Sequence, residues 1–150
     1  MSLLSRPQRT VAVGAAPVFG SPIDITDALI TSNGSNVFTG NYENTSYSAN
    51  NGAAVYVTTT QKVILDGCLF KAQKYCVSSL SNGSNVEVRN SIGVVKNTTQ
   101  AGQPAHRFLN LGQPASVVCE NNTMIGGGIL LSGNSTATGR TAVIRYNRMI

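Results

Sequence analysis

Short apolar stretches recur along the chain, and within each of them apolar and polar residues alternate as they do along a β-strand. Five stretches align without gaps, and each carries Val at its second position and Asn, once replaced by Gly, four residues later. The valines of this series are Val37, Val63, Val86, Val117 and Val143, at intervals of 26, 23, 31 and 26 residues. A drifting interval of this length, with turn-forming residues in between, predicts a solenoid of stacked repeats.

The alternation assigns a face of the strand to each residue. Val63 and Leu65 point to one side, Ile64 and Asp66 point to the other, and the Val-Leu side is expected to form the core. The residue that ends each stretch stands where the chain must bend, and Asn and Gly tolerate left-handed backbone angles. These corner residues are Asn41, Gly67, Asn90, Asn121 and Asn147. We expect the asparagines to stack in a ladder of side-chain hydrogen bonds.

A second series of short apolar strands lies between the first, over residues 53–57, 75–78, 107–109 and 128–131. Two strand series with turns between them predict two or three strands per coil and about four to five coils. Residues 1–30 contain Pro7, Pro17 and Pro22 and show no stable period. They are predicted to form an N-terminal segment or cap, ahead of coils that occupy residues 31–150.

The last residues predict an exposed final coil. Residues 146–150 stop inside the fifth stretch without a polar cap, and the alternation from Val143 places Arg145 on the inward side. This stretch therefore either departs from the register or is covered. We expect the helix to be incomplete at this end, so that it continues in a longer protein or associates with another copy through the open coil.

The segments Val63 to Ser79 and Val117 to Leu131 resemble the right-handed parallel β-helix repeats of the pectate-lyase-like superfamily. The resemblance covers roughly residues 33–150 and implies an all-β, right-handed parallel β-helix. Lyases, hydrolases, phage tailspikes and adhesins share this coil, so the resemblance implies a fold more strongly than a function.

In the enzymes of that superfamily the site lies on the outer face of one sheet, which directs attention to the outward residues. Three residues after each valine stand Gly40, Asp66, Arg89, Glu120 and Tyr146. Asp66 and Glu120 would lie two coils apart, about 9–10 Å, near the upper limit for the carboxylate pair of an inverting glycosidase. Arg89 between them would lower the pKa of both, which is wrong for a general acid. The alternative is a ladder of exposed charges that neutralise one another.

Asp66, Arg89 and Glu120 are the candidate catalytic residues. The candidate substrate-binding residues are Tyr146, Lys62, His106 and Arg107. The Asn-Thr-Asp and Gly-His-Gly motifs of polygalacturonases do not occur, and the aspartates Asp24, Asp27 and Asp66 are too widely spaced for the cluster of a calcium-dependent pectate lyase. Neither a metal nor a cofactor is predicted.

Charged residues make up 11% of the chain, so Asn, Ser, Thr and Gly supply most of its polarity, and the net charge is +5. Mild basicity favours anionic partners such as acidic polysaccharide or nucleic acid, but it serves solubility equally well. The basic residues are scattered and are not interleaved with aromatic residues, which favours the solubility role and argues against nucleic-acid binding. No apolar stretch is long enough for a membrane helix. The cysteines Cys68, Cys76 and Cys119 are predicted to be buried thiols, with a Cys68–Cys76 disulfide as the alternative in an exported protein.

Two functions follow as expectations. The first is a secreted or cell-surface protein that binds or processes polysaccharide on its outer sheet face, with lyase or hydrolase activity left undecided. The alternative is a structural or adhesive β-solenoid without catalysis, such as a segment of a tailspike or an adhesin.

Overall fold

The computed structural model describes residues 15–96, 106–132 and 139–150, and these form a right-handed parallel β-helix of five coils. The first coil contains β1 (Ile23–Ile25), helix α1 (Asp27–Asn33), β2 (Val37–Phe38) and β3 (Asn41–Asn44). The second contains a 3-10 turn (Ala49–Gly52), β4 (Ala53–Val57), β5 (Lys62–Asp66) and β6 (Leu69–Ala72). The third contains β7 (Tyr75–Ser79), β8 (Asn85–Arg89) and β9 (Ile92–Val95). The fourth contains β10 (Arg107–Gly112), β11 (Ser116–Glu120) and β12 (Thr123–Ile125), and the fifth β13 (Gly128–Ser132), β14 (Thr141–Arg145) and β15 (Arg148–Met149).

Each coil contributes one strand to each of three parallel sheets of five strands. Sheet 1 contains β1, β4, β7, β10 and β13; sheet 2 contains β2, β5, β8, β11 and β14; sheet 3 contains β3, β6, β9, β12 and β15. The turn from sheet 2 to sheet 3 has two residues in every coil, whereas the other two turns vary in length. The all-β, right-handed parallel β-helix predicted from the repeat is confirmed.

The three central rungs of sheet 2 lie in the predicted register. Val63 pairs with Val86, and Val86 pairs with Val117, so that the three valines stack at matching height inside the core. All three are buried, as are the residues two positions later in the same strands. Alternation within these strands therefore assigned the inward face correctly.

The two outer rungs are shifted by one residue from the alignment on valine. Val37 pairs with Ile64 and is 43% exposed, because the larger Phe38 takes the inward position. At the other end Val143 pairs with Val118 and also faces outward. This shift is the departure from register that Arg145 indicated, since Arg145 pairs with Glu120 and lies on the outer face.

The corner between sheets 2 and 3 carries the predicted ladder in its central part. Asn90 and Asn121 have φ values of 51° and 55°, and Gly67 has 65°. The Nδ2 of Asn121 donates to Oδ1 of Asn90 over 2.6 Å, and the Nδ2 of Asn90 donates to Oδ1 of Asp66 over 2.8 Å. Because the outer rungs are shifted, Asn41 and Asn147 are not part of this column, and Tyr146 holds the left-handed position of the last coil at φ 56°.

A second ladder lies one residue further along and was not predicted. It consists of Cys68, Ser91, Asn122 and Asn147. The backbone N–H of each of the first three donates to the side chain of the next, over 3.1, 2.9 and 3.0 Å. The bend removes these amides from the strand ladders, and the side chains satisfy them inside the protein.

At Gly93 the core leaves no room for a side chain. It lies between Phe70 and Met124 in the inward column of sheet 3, and the ring of Phe108 fills the space beside it. A Cβ at this position would lie 2.5 Å from Cε2 of Phe108 and 2.7 Å from Sγ of Cys76. The two phenylalanine rings meet edge to face at a centroid distance of 6.0 Å. Glycine is required here by packing.

Helix α1 connects β1 to β2 within the first coil. Thr26 caps its N-terminus through its side-chain oxygen, and Ile30 is buried against the core. The carboxylate of Asp27 accepts hydrogen bonds from Thr59 and Gln61 and so ties the helix to the second coil. The division of the chain at residue 30 stays a prediction.

The final coil exposes apolar side chains, including Ile144, Met149 and Ile150. A cavity of about 540 Å³ opens between Ile144 and Met149 of this coil and Met124 of the fourth, with Leu131 also in its wall. Self-association through this coil stays a prediction.

The three cysteines are free, buried thiols, and the predicted alternative of a Cys68–Cys76 disulfide is not formed. Burial raises the pKa of Cys68 and of Cys119 to about 11 and raises the pKa of Cys76 further. Such thiols are poor nucleophiles at neutral pH, which fits a packing role.

The substitution Gly93→Ala should lower the free energy of unfolding by about 1–3 kcal/mol, because the added methyl group overpacks the core against Phe108. Gly128→Ala is the matched control, since an added Cβ there has no neighbour within 4 Å; its effect should be below about 1 kcal/mol. Urea unfolding followed by circular dichroism measures both. Equal losses in the two variants would contradict this account of the core.

Hydrogen bonds from Thr59 and Gln61 lower the pKa of Asp27 below its ordinary value of 3.8. The carboxylate therefore contributes stability that is present above pH 3.8 and is lost as the pH falls through the lowered pKa. Asp27→Asn should remove this part of the acid dependence. The unfolding midpoints of the variant and the wild type are compared at pH 6 and at about pH 2, and the difference between them should be smaller at the lower pH. A difference that stays constant over this range would show that Asp27 does not titrate in this way.

Candidate functional site

The outer face of sheet 2 brings together four of the predicted site residues. Lys62 and Asp66 lie at the two ends of β5, and Asp66 pairs in register with Arg89, which pairs with Glu120. The predicted catalytic residues thus occupy adjacent strands in the predicted order. Their outward column continues to Arg145.

The charges on this face form a continuous ladder of ion pairs. Glu87, which was not predicted to belong to the site, lies 2.6 Å from Nζ of Lys62 and 2.7 Å from a terminal nitrogen of Arg89. Glu120 lies 3.5 Å from Nε of Arg89 and 2.7 Å from Nε of Arg145. The bond to Glu120 raises the pKa of Arg145. We name these five residues the charge ladder.

The charge ladder leaves little freedom for acid or base chemistry. The side chain of Glu87 is only 8% exposed, and its two oxygens face different cations. The two oxygens of Glu120 face Arg89 and Arg145, and Asp66 accepts a hydrogen bond from Asn90. A general acid or base needs an oxygen that can reach the substrate. On this face the glutamate oxygens are engaged with the protein itself.

Tyr146 does not lie in the outward column of sheet 2, where it was predicted. The one-residue shift of the last rung moves it to the corner, where it is 79% exposed and lies with its ring centroid 5.4 Å from the guanidinium of Arg145. Gly40 is displaced from the column by the corresponding shift of the first rung.

His106 and Arg107 lie on a different wall, at the turn from sheet 3 to sheet 1. Arg107 opens β10 and pairs with Tyr75, and its backbone N–H donates to the carbonyl of Lys74 over 3.0 Å. His106 therefore occupies the position in its coil that Lys74 occupies in the preceding one. Nζ of Lys74 lies 5.0 Å from the centroid of the Tyr75 ring. The structure thus places the four predicted substrate-binding residues in three locations: Lys62 on the outer face of sheet 2, Tyr146 at the corner between sheets 2 and 3, and His106 and Arg107 at this turn.

Two more residues belong to this turn. The ring centroid of Tyr47 lies 6.1 Å from that of His106. Lys96 directly follows β9, and its backbone N–H donates to the carbonyl of Ala72. We name the group Lys74, Lys96, His106 and Arg107, with the rings of Tyr47 and Tyr75, the basic corner. Only His106 and Arg107 were predicted from the sequence. The available signal was that Lys74 stands directly before a strand of the second series, as His106 does.

Two groups of the basic corner have unusual surroundings. Burial raises the pKa of Tyr75, and the nearby positive charge of Arg107 opposes that rise. Nδ1 of His106 is buried and has no hydrogen-bond partner among the residues that the structure describes. The side chains of Lys74 and Arg107 form no ion pair within the described parts of the chain.

Comparison with protein families, characterised proteins and solved structures finds no significant match. The parallel β-helix is therefore established by the coordinates alone, and membership of the pectate-lyase-like superfamily has no further support. Within the described ranges no three His, Cys, Asp or Glu residues are placed to hold a metal ion. No helix in that part of the chain is long and apolar enough to cross a membrane.

Glu87→Gln should lower the free energy of unfolding by about 1.5–3 kcal/mol, because it removes a nearly buried charge that two cations share. Glu43→Gln is the matched control: it breaks the more exposed Glu43–Lys71 pair of 2.8 Å and should cost less than about 1 kcal/mol. Urea unfolding at low and high salt separates the two, since only the exposed pair is well screened. A smaller loss of unfolding free energy for Glu87→Gln than for Glu43→Gln would contradict the conclusion that two cations hold the nearly buried charge of Glu87.

Proposed function

We propose that this chain is a non-catalytic β-solenoid of a secreted or cell-surface protein, which binds polysaccharide on its outer walls as an adhesive or structural module. The observation that carries the proposal is the charge ladder, in which the glutamates of the candidate catalytic face are held by protein cations. Hydrolysis of a glycosidic bond by paired carboxylates requires one group as acid and the other as base or nucleophile.

The remaining carboxylates also have partners within the protein. All six Asp and Glu residues of the chain lie in the described ranges. Asp24 accepts a hydrogen bond from Thr58, Asp27 is held by Thr59 and Gln61, and Glu43 pairs with Lys71. These interactions are structural, and they leave no second carboxylate pair on one wall. The acidic residues of this protein support folding better than they support catalysis.

The outer surface favours a glycan as the bound molecule. Its polarity comes mostly from uncharged groups, since charged residues make up only 11% of the chain. The exposed corner ladder presents amides from Asn90 and Asn121 on neighbouring coils, and amides both donate and accept hydrogen bonds as sugar hydroxyls do. Coils that repeat about every 4.8 Å form a rigid, extended wall, which suits a long, regular polymer.

A polysaccharide-cleaving enzyme is the second candidate, because Asp66, Arg89 and Glu120 do lie on adjacent strands of one face. It requires the ion pairs of the charge ladder to open when substrate binds.

A panel of neutral and acidic polysaccharides separates the two functions. Affinity electrophoresis should show retardation by at least one polysaccharide, while assays for new reducing ends and for unsaturated products should show no release over long incubation. Asp66→Asn and Glu120→Gln serve as controls for trace activity. Product release by the wild type that either substitution abolishes would overturn the non-catalytic assignment, and the absence of any retardation would overturn the binding role.

A further inference from the structure

We infer that the chain associates head to tail, with the fifth coil of one copy docked on the first coil of a second copy. This inference goes beyond the proposed function and does not depend on polysaccharide binding. We name the exposed side of residues 139–150 the tail face and the exposed side of residues 23–43 the head face. The structure describes each of these two stretches without interruption.

The first and fifth coils carry opposite charge. Residues 15–61 contain three acidic residues and neither Lys nor Arg, and the three are Asp24, Asp27 and Glu43. Residues 126–150 contain three basic residues and neither Asp nor Glu, and the three are Arg140, Arg145 and Arg148. Arg6 and Arg9 lie outside the described residues. A basic tail face and an acidic head face attract each other when copies stack in one direction.

Part of this charge has no counter-ion within the protein. The carboxylates of Asp24 and Asp27 accept hydrogen bonds from uncharged side chains and have no cation partner in the part of the chain that the structure describes. Within the same ranges Arg140 and Arg148 have no carboxylate partner. These four groups are therefore available for contacts between copies.

The opposite charges lie at matching places around the helix. Asp27 lies in the turn from sheet 1 to sheet 2 of the first coil, and Arg140 lies in the same turn of the fifth coil. Glu43 lies in β3 and Arg148 in β15, which are the two outermost strands of sheet 3. A second copy stacked on the same axis therefore brings each of these arginines to the side of the helix that carries an acidic residue.

The shifted outer rungs of sheet 2 match each other. Both shifts run in the same direction, so Val143 and Val37 lie at the two ends of one outward column and are 41% and 43% exposed. Ile144 and Phe38 end the neighbouring inward column. The strands that carry these residues, β14 and β2, are the edge strands of sheet 2, and an edge strand has unpaired backbone groups along its outer side. Head-to-tail stacking continues both columns from one copy into the next.

Both faces have apolar surface for a contact of this kind to bury. On the tail face, Ile144 and Met149 line the cavity of about 540 Å³, and the ring of Tyr146 is exposed. On the head face lies a groove of about 350 Å³, with Leu29 and Val37 in its wall. Burial of this surface supplies affinity, and the opposite charges set the orientation of the two copies.

Stacking in the opposite sense is disfavoured. Two tail faces would bring the three arginines of one copy against the three of the other, and residues 126–150 contain no carboxylate to separate them. Like charges that face each other across an interface lower its affinity. A head-to-tail contact uses two different surfaces and does not close on itself when the copies share one axis, so it builds open chains of more than two copies.

The test removes one face at a time without adding charge. The tail variant combines Arg148→Gln with Met149→Gln, and the head variant combines Asp24→Asn with Val37→Asn. The tail variant keeps a native head face, and the head variant keeps a native tail face. A mixture of the two variants can therefore form one native contact per pair of chains and no second one.

The control variant combines Ile92→Gln with Lys96→Gln. Ile92 is an exposed apolar residue of β9, and Lys96 is an exposed cation without a carboxylate partner in the described ranges. The control thus changes the same kinds of side chain in the third coil, away from both faces. Each protein is first shown to be folded by its circular dichroism and unfolding midpoint. Sedimentation velocity over a range of protein concentrations, at low and high NaCl, then measures the average mass.

The wild type should form species larger than a dimer as its concentration rises, and salt should weaken them. The tail variant and the head variant should each associate about tenfold or more weakly than the wild type. Their equimolar mixture should form a dimer and no larger species, and the control should behave as the wild type does.

A wild type that stays monomeric at every concentration would overturn the inference. A head variant that dimerises as well as the wild type would also overturn it, because that result indicates contact between two tail faces. The same holds for a mixture no larger than its components, for an equal loss in the control and for association that salt strengthens. The concentration and salt dependence of the wild type test the inference even where a variant fails to fold.

Discussion

The structure depends on one repeated hydrogen bond, in which a backbone amide at the bend between sheets 2 and 3 donates to a side chain of the next coil. Cys68, Ser91 and Asn122 each make this bond. A coil can turn inside a protein only if the amides released from the strand ladder find partners, because a buried unpaired N–H costs about 1–3 kcal/mol. The bond also sets the height of each coil above the last, and the valine column of sheet 2 follows from that spacing.

The same register determines what the outer walls can do. Parallel strands in register bring outward residues of successive coils to within about 5 Å of one another, so like charges in one column would repel. On sheet 2 the alternation of Asp66, Arg89, Glu120 and Arg145 removes that repulsion, and it thereby neutralises the groups that a catalytic site would need. The unpaired positive charge of the basic corner lies at a turn, where the register imposes no such pairing.

The sequence predicted the fold because the interval between the valines and the alternation around them both depend on local residue order. It misassigned the outer rungs because Phe38 competes with Val37 for the core, and a shift of one residue exchanges the two faces of a strand. The inner ladder was not predicted because Cys68, Ser91 and Asn122 share no residue type, only a position. The basic corner was predicted only in part, because Lys74 and His106 become neighbours only when β10 pairs with β7.

The turn lengths explain where the coils differ from one another. The turn from sheet 2 to sheet 3 has two residues in all five coils, because a longer one would separate the amides of the inner ladder from their acceptors. The turn from sheet 3 to sheet 1 carries no such ladder among the described residues, and its length ranges from two to eleven. This turn can therefore differ in length and in residue type from coil to coil without disturbing the core, as loops on rigid scaffolds generally can. The aromatic and basic side chains of Tyr47, Lys74 and His106 are carried by this turn, so that the repeat supplies the spacing and the irregular turns supply the side chains that differ from coil to coil.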